Sequence, residues 1–89
     1  MGDIIKRGIA ETLKLPKEVV LSLPLISITG REEFFIENLK GIIEYTEEKI
    51  RLKTNSGILK IEGSGMVLKS VSDESLEIKG KISKIEFMD

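Results

Sequence analysis

The sequence predicts a mainly β fold: a small, strongly bent antiparallel meander, closing toward a barrel-like form or a two-layer roll, with one amphipathic helix at its N-terminus. Three observations predict it. Between residues 50 and 87, apolar and polar residues alternate with period two, the mark of strands with one buried and one solvated face. Glycine-bearing breaks, Asn55-Ser56-Gly57 and Gly63-Ser64-Gly65, punctuate that stretch. The last segment changes parity: Leu76, Ile78 and Ile82 share one side, whereas Ile85 and Phe87 fall on the other. A flat strand cannot bury both sets, so a bulge near Ser83-Lys84 or a bend at Gly80 is expected.

The elements follow in order. Residues 3–15 read as a helix, with Ile4, Ile5, Ile9 and Leu13 at three- to four-residue spacing, Asp3 as N-cap and Pro16 as the stop. Its expected task is to cover the apolar face or open end of the sheet. The β region is expected over 19–88, the whole chain forming a single domain. Residues 19–23 read as a strand that ends at Pro24, which has no N–H to donate. Residues 25–29 are extended and stop at Gly30. Arg31-Glu32-Glu33 fits an exposed turn, and Phe34-Phe35-Ile36-Glu37 a strand. Asn38 and Gly41 frame a tight bend or bulge. Ile42 to Tyr45 resumes the sheet, and Thr46-Glu47-Glu48-Lys49 turns it.

A weak internal repeat relates Gly41-Ile42-Ile43-Glu44 through Ile50-Arg51-Leu52-Lys53 to Gly65-Met66-Val67-Leu68 through Leu76-Glu77-Ile78-Lys79. Each copy is an apolar pair, a polar turn and an alternating strand, which suggests two consecutive hairpins. The alternation also leaves Arg51, Lys53, Glu77, Lys79 and Lys81 opposite the aliphatic residues, so one face is expected to be a lattice of opposite charges.

Composition removes several function classes. The 89 residues contain no cysteine and no histidine. Disulfides, thiolate metal sites, Ser-His-Asp and Cys-His catalysis are therefore impossible within this chain. Fourteen basic residues nearly balance 15 acidic ones, interspersed rather than blocked, which reads as a solvated surface rather than a nucleic-acid footprint. The longest uncharged apolar stretch, 19–29, is too short to span a bilayer and is interrupted by Ser22, Pro24 and Ser27.

The polar clusters read as structure before chemistry. Glu32-Glu33 and Glu47-Glu48 are solvated turn pairs, and Asp73-Glu74-Ser75 lacks the ligand density of a calcium loop. Gly63-Ser64-Gly65 precedes a strand, not a helix, so it is an inter-strand turn rather than a phosphate loop. Lys6, Arg7, Lys14 and Lys17 are offset by Asp3, Glu11 and Glu18, so the first helix is expected to pack on the sheet rather than lie on a membrane. Glu37-Asn38-Leu39-Lys40-Gly41 is the most distinctive pentapeptide. It fits a bulged turn, with Glu37, Asn38 and Lys40 exposed as candidate partner contacts.

In order and spacing, the runs Leu23-Pro24-Leu25-Ile26-Ser27-Ile28-Thr29-Gly30, Phe35-Ile36-Glu37-Asn38-Leu39-Lys40-Gly41-Ile42, Ile50-Arg51-Leu52-Lys53-Thr54, Leu59-Lys60-Ile61-Glu62-Gly63 and Leu76-Glu77-Ile78-Lys79-Gly80-Lys81-Ile82 resemble the YabP/YqfC family of sporulation proteins. The Glu-Asn-Leu-Lys-Gly element is most similar to its YqfC branch. The resemblance spans about residues 17 to 88. It implies a mother-cell protein of endospore-forming Firmicutes, needed around coat and cortex formation, with no established enzymatic activity. It also implies association with a membrane-anchored sporulation protein of the YqfD type at the forespore outer membrane.

The expected function is thus a non-enzymatic assembly module without cofactor or metal. It would form homo-oligomers and bind partners through Glu37, Asn38, Lys40, Arg51, Lys53, Lys79 and Lys81 and through sheet edges at 19–23 and 82–87. It is expected in the mother-cell cytoplasm, peripheral to the membrane, with no insertion and no nucleic acid bound. The alternatives are an Sm-like RNA-binding oligomer, which also sets a helix before a bent five-stranded sheet, and a roll that holds a small molecule or lipid against its aliphatic face.

Overall fold

The computed structural model describes residues 21–88, which form six antiparallel strands: β1 (Leu25–Thr29), β2 (Glu33–Glu37), β3 (Gly41–Tyr45), β4 (Lys49–Thr54), β5 (Gly57–Val71) and β6 (Ser75–Met88). The strands lie in one sheet of order β1-β2-β6-β5-β4-β3. The helix expected over 3–15, and the first residues of the strand expected over 19–23, lie outside the described residues. Residues 21–23 are not strand. Ser22 takes a left-handed φ of 56° just ahead of Pro24, and that geometry cannot continue a ladder.

The order corrects the expected meander in one respect. β3 to β6 are neighbours in chain order, but the β1–β2 hairpin docks on β6, at the far side from β3. The linear order leaves the sheet open, so no barrel closes among the described residues. The β-strands themselves, and their antiparallel sense, are as the alternation predicts.

β6 is the long bent strand that the last segment predicts, whereas β5 is far longer than any run legible in the sequence. Gly63-Ser64-Gly65 is not a turn between strands; it lies inside β5. There the pairing shifts register three times. Ser83 is the extra residue between Glu62↔Lys84 and Gly63↔Ile82, Gly65 and Met66 face Gly80 between Ser64↔Lys81 and Val67↔Lys79, and Lys69 bulges before Ser70↔Glu77. The bulge at Ser83 is the expected one. Such bulges bend a strand and raise its twist. The crossing is so close that a Cβ on Gly63 would lie 2.1 Å from the Lys81 carbonyl oxygen, and one on Gly80 would lie 2.6 Å from the Met66 Cα.

The bend divides the sheet into two four-stranded halves. One contains residues 67–71 of β5, 75–79 of β6, then β2 and β1. The other contains β3, β4, residues 57–62 of β5 and 84–88 of β6. The halves repeat each other. In the first, inner rows run Val71-Leu76-Ile36-Ile26 and Leu68-Ile78-Phe34-Ile28. In the second, they run Tyr45-Ile50-Ile61-Ile85 and Ile42-Leu52-Leu59-Phe87.

The two hairpins expected from the sequence repeat are therefore present, but their first strands match two residues later than the sequence suggested, Ile42 falling on Leu68 rather than on Met66. The Thr46 amide donates to the Lys49 carbonyl at 2.8 Å, as the Ser72 amide does to Ser75 at 2.9 Å. Bulges at Ile43 and Lys69 occupy the same place in each copy.

Both inner faces feed one hydrophobic core. Phe34, Ile36, Leu76 and Ile78 from one half join Ile50, Leu52, Leu59 and Ile61 from the other, with Met66 and Ile82 at the bend. Leu39 completes it from the crossover between β2 and β3. That crossover is the Glu37-Asn38-Leu39-Lys40-Gly41 element, and it ties the halves together. The Leu39 amide donates to Glu74 at 2.9 Å in one half and the Lys40 amide to Lys53 at 2.8 Å in the other. Asn38 takes a φ of 65° at the corner, which Asn tolerates better than most residues, and its side-chain amide donates to the Leu23 carbonyl at 2.7 Å.

Candidate interaction surfaces

The two outer faces differ in a way the inner faces do not. Across the second half, one outer row runs Glu44-Arg51-Lys60-Glu86 and the next Lys49-Glu62-Lys84. These charges pair with one another. Arg51 Nε donates to Glu44 at 2.8 Å, and Lys49 reaches the same carboxylate at 3.7 Å. Lys60 lies 3.1 Å from Glu86 and 3.6 Å from Glu62, and Lys84 lies 3.6 Å from Glu86.

The hydrogen bond from Arg51 holds the Glu44 carboxyl below its ordinary range, with Lys49 adding to the effect against a partial desolvation. The hydrogen bond from Lys60 does the same for Glu86, and Lys84 contributes. In return Glu86 pushes the Lys60 ammonium up. Among the described residues the expected lattice of opposite charges is thus densest on this half.

The outer face of the first half carries Ser70-Glu77-Phe35-Ser27 and Val67-Lys79-Glu33-Thr29. Among the described residues only Lys69 and Glu77 approach as an ion pair there, at 3.9 Å. Exposed Leu25 and Val67 lie on this face.

The sequence-chosen contacts do not form one site. Lys79 and Lys81 line an open groove of about 570 Å³ at the bend, with Arg31, Glu32 and Gly80. Arg31 is the residue the sequence reading passed over: as one letter of an exposed turn it gave no signal. Its carbonyl accepts from the Ile82 amide at 2.7 Å and its Nε donates to the Ile82 carbonyl at 3.3 Å, so the loop is stitched to the bend. Glu37 and Asn38 line a separate depression of about 240 Å³ with Ser72, Glu74 and Ser75. Lys40 and Lys53 are exposed together at the crossover, and Arg51 is engaged by Glu44.

The sheet has four border segments among the described residues: β1, β3, residues 67–71 of β5 and residues 84–88 of β6. Each long strand is internal in one half and marginal in the other. The border expected at 82–87 matches the last of these. The one expected at 19–23 gives way to β1, whose Leu25 and Ile28 are nearly half exposed. Phe87, Tyr45 and Ile42 are comparably exposed at the ends of the inner rows.

No group of three or more acidic residues among the described residues is arranged to hold a metal ion, and no helix there is long and apolar enough to cross a membrane. Among the described residues the groove at the bend has no aromatic side chain in its lining, so they offer bases no stacking platform of the kind an Sm-like reading needs. The inner face is filled by its own side chains, which leaves the lipid-holding roll without support.

The described residues thus form an antiparallel β protein with an apolar interior, a bent pair of long strands and a cross-tied Glu-Asn-Leu-Lys-Gly corner. The YabP family model matches residues 23–89, a span that holds every described strand, and the chain belongs to that family. It is 28% identical over 85 residues to the uncharacterized protein YqfC of Bacillus subtilis strain 168, a match covering 96% of this chain and 91% of that relative.

Proposed function

We propose that this chain is a non-enzymatic assembly module of sporulation. It works on the mother-cell side of the forespore outer membrane and joins other proteins by strand addition. The observation that carries the reading is the pair of sheet borders, β1 and residues 84–88, that are free of bulges and uncovered among the described residues. Both bear half-exposed apolar side chains beside backbone groups with no ladder partner among the described residues. Family membership and the lack of histidine and cysteine support the same reading.

A partner strand on β1 gains main-chain hydrogen bonds, while Leu25 and Ile28 supply apolar contact. The groove of Arg31, Lys79 and Lys81 next to that half suits acidic side chains of the same partner. A membrane-anchored protein of the YqfD type is the partner that fits the family.

The test is capture from sporulating cells with tagged chain, scored for that membrane protein. Wild-type chain is expected to recover it. A Leu25→Lys/Ile28→Lys variant is expected to lose it while keeping its circular dichroism spectrum. Equal recovery by both chains, or none by either, overturns the reading.

A further inference from the structure

We infer that residues 84–88 of β6 pair with the same residues of a second copy of this chain, antiparallel, about a two-fold axis through Ile85. The inference deepens the assembly reading above and rests on it.

Three of the four borders are poor places for self-pairing. β3 is interrupted by the bulge at Ile43, and residues 67–71 by the bulge at Lys69; bulges are devices that spoil an edge for a neighbour. β1 is regular but carries no charge, so nothing on it selects one register of self-pairing from another. Residues 84–88 run in unshifted register with β5, from Glu62↔Lys84 to Ile58↔Met88. Among the described residues no strand pairs with their other side, and Lys84 and Phe87 are exposed.

The side chains there select both the partner and the register. Lys84 and Glu86 flank Ile85 on the outer face. A two-fold axis at Ile85 sets Lys84 of each copy opposite Glu86 of the other, and sets Ile85 against Ile85 on the inner face. Phe87 then lies diagonal to Ile85 of the second copy, within reach of an aromatic ring. Moving the axis to Lys84 or to Glu86 puts like charges face to face, and moving it by half a step puts charges opposite apolar residues. Of the registers centred on residues 84–86, only the one at Ile85 satisfies the strand, and it is self-complementary, as a two-fold interface must be. It also extends the charge rows without a break, since Glu86 at the end of the row Glu44-Arg51-Lys60-Glu86 meets Lys84 at the start of a row Lys84-Glu62-Lys49 in the second copy.

The test uses full-length chain in sedimentation velocity at micromolar concentration. Wild type is expected to sediment as a dimer. Lys84→Glu and Glu86→Lys are each expected to lose the dimer, because each sets like charges across the axis. An equimolar mixture of the two is expected to regain it as a heterodimer, because the two strands are then opposite in charge at both positions. A second measurement needs no charge change: the chain has no native cysteine, so Ile85→Cys should cross-link to itself under mild oxidation, whereas Ser83→Cys and Phe87→Cys should not.

A monomeric wild type, single-charge variants that still dimerise, or cross-linking equal at all three positions overturns the pairing. A monomer that still captures the membrane protein removes this inference alone. A dimer that captures nothing removes the assembly reading and leaves the pairing.

Discussion

Gly63 and Gly80 are where single atoms decide the fold. Adding a methyl group to Gly63 drives it into the Lys81 carbonyl, a backbone atom that cannot rotate away. Gly63→Ala should therefore cost at least about 3 kcal/mol, the upper end of what overpacking does. Gly41→Ala should change stability little, since its Cβ would meet nothing within 4 Å. Urea melts of the two variants check this directly. Leu76, fully buried in the core, should lose about 2–5 kcal/mol on change to alanine, read by the same melts. The sequence placed Leu76, Ile78, Ile50 and Leu52 on the buried side correctly, because period-two alternation reports facing without knowledge of partners. It misread Gly63-Ser64-Gly65 as a turn because a glycine demanded by a close backbone crossing and a glycine demanded by a tight turn are the same letter.

At the scale of the element, the outer rows of the second half behave as a unit. Glu44 and Glu86 have folded-state pKa values below their unfolded ones. They contribute stability at neutral pH, and that contribution fades as pH falls through the folded values. Lys60 is raised, so its contribution holds at neutral pH and fades only as pH climbs past the ordinary lysine range toward the folded value. Glu86→Gln should accordingly lower the melting temperature at pH 7. The gap from wild type should close in acid, below the depressed carboxyl range, and should narrow in 1 M salt, where screening is strong. A gap that is constant from pH 7 to pH 2 would show that the ion pairs are not its cause. Parity in the sequence foretold opposite charges on one side. It did not foretell that they gather on one half, because that depends on which strands are neighbours.

For the molecule as a whole, neighbour choice is what local pattern could not supply. Nothing in the alternation of 33–37 says that β2 will lie against β6 rather than β3. The information sits in the corner, where Leu39 is buried and hydrogen-bonded to one half while Lys40 is bonded to the other. The pentapeptide was legible as distinctive but not as a tie, since its partners Glu74 and Lys53 are remote in sequence. The candidate contacts were scattered for the same reason: Lys79 and Lys81 meet Arg31 only once the bend is formed. A Lys79→Glu/Lys81→Glu chain should fold as wild type by circular dichroism yet recover less of the membrane protein in the capture assay. Unchanged recovery would remove the groove from the partner surface and leave the strand borders in place.

Because β5 and β6 each pass through both halves, neither half owns a complete set of strands. Opening one strips the other of a ladder it shares. Amides of Leu52 and Leu59 should therefore exchange with deuterium at the same rate as those of Ile36 and Ile78, through one global event, and a protease cut near Ser64 should release no surviving half.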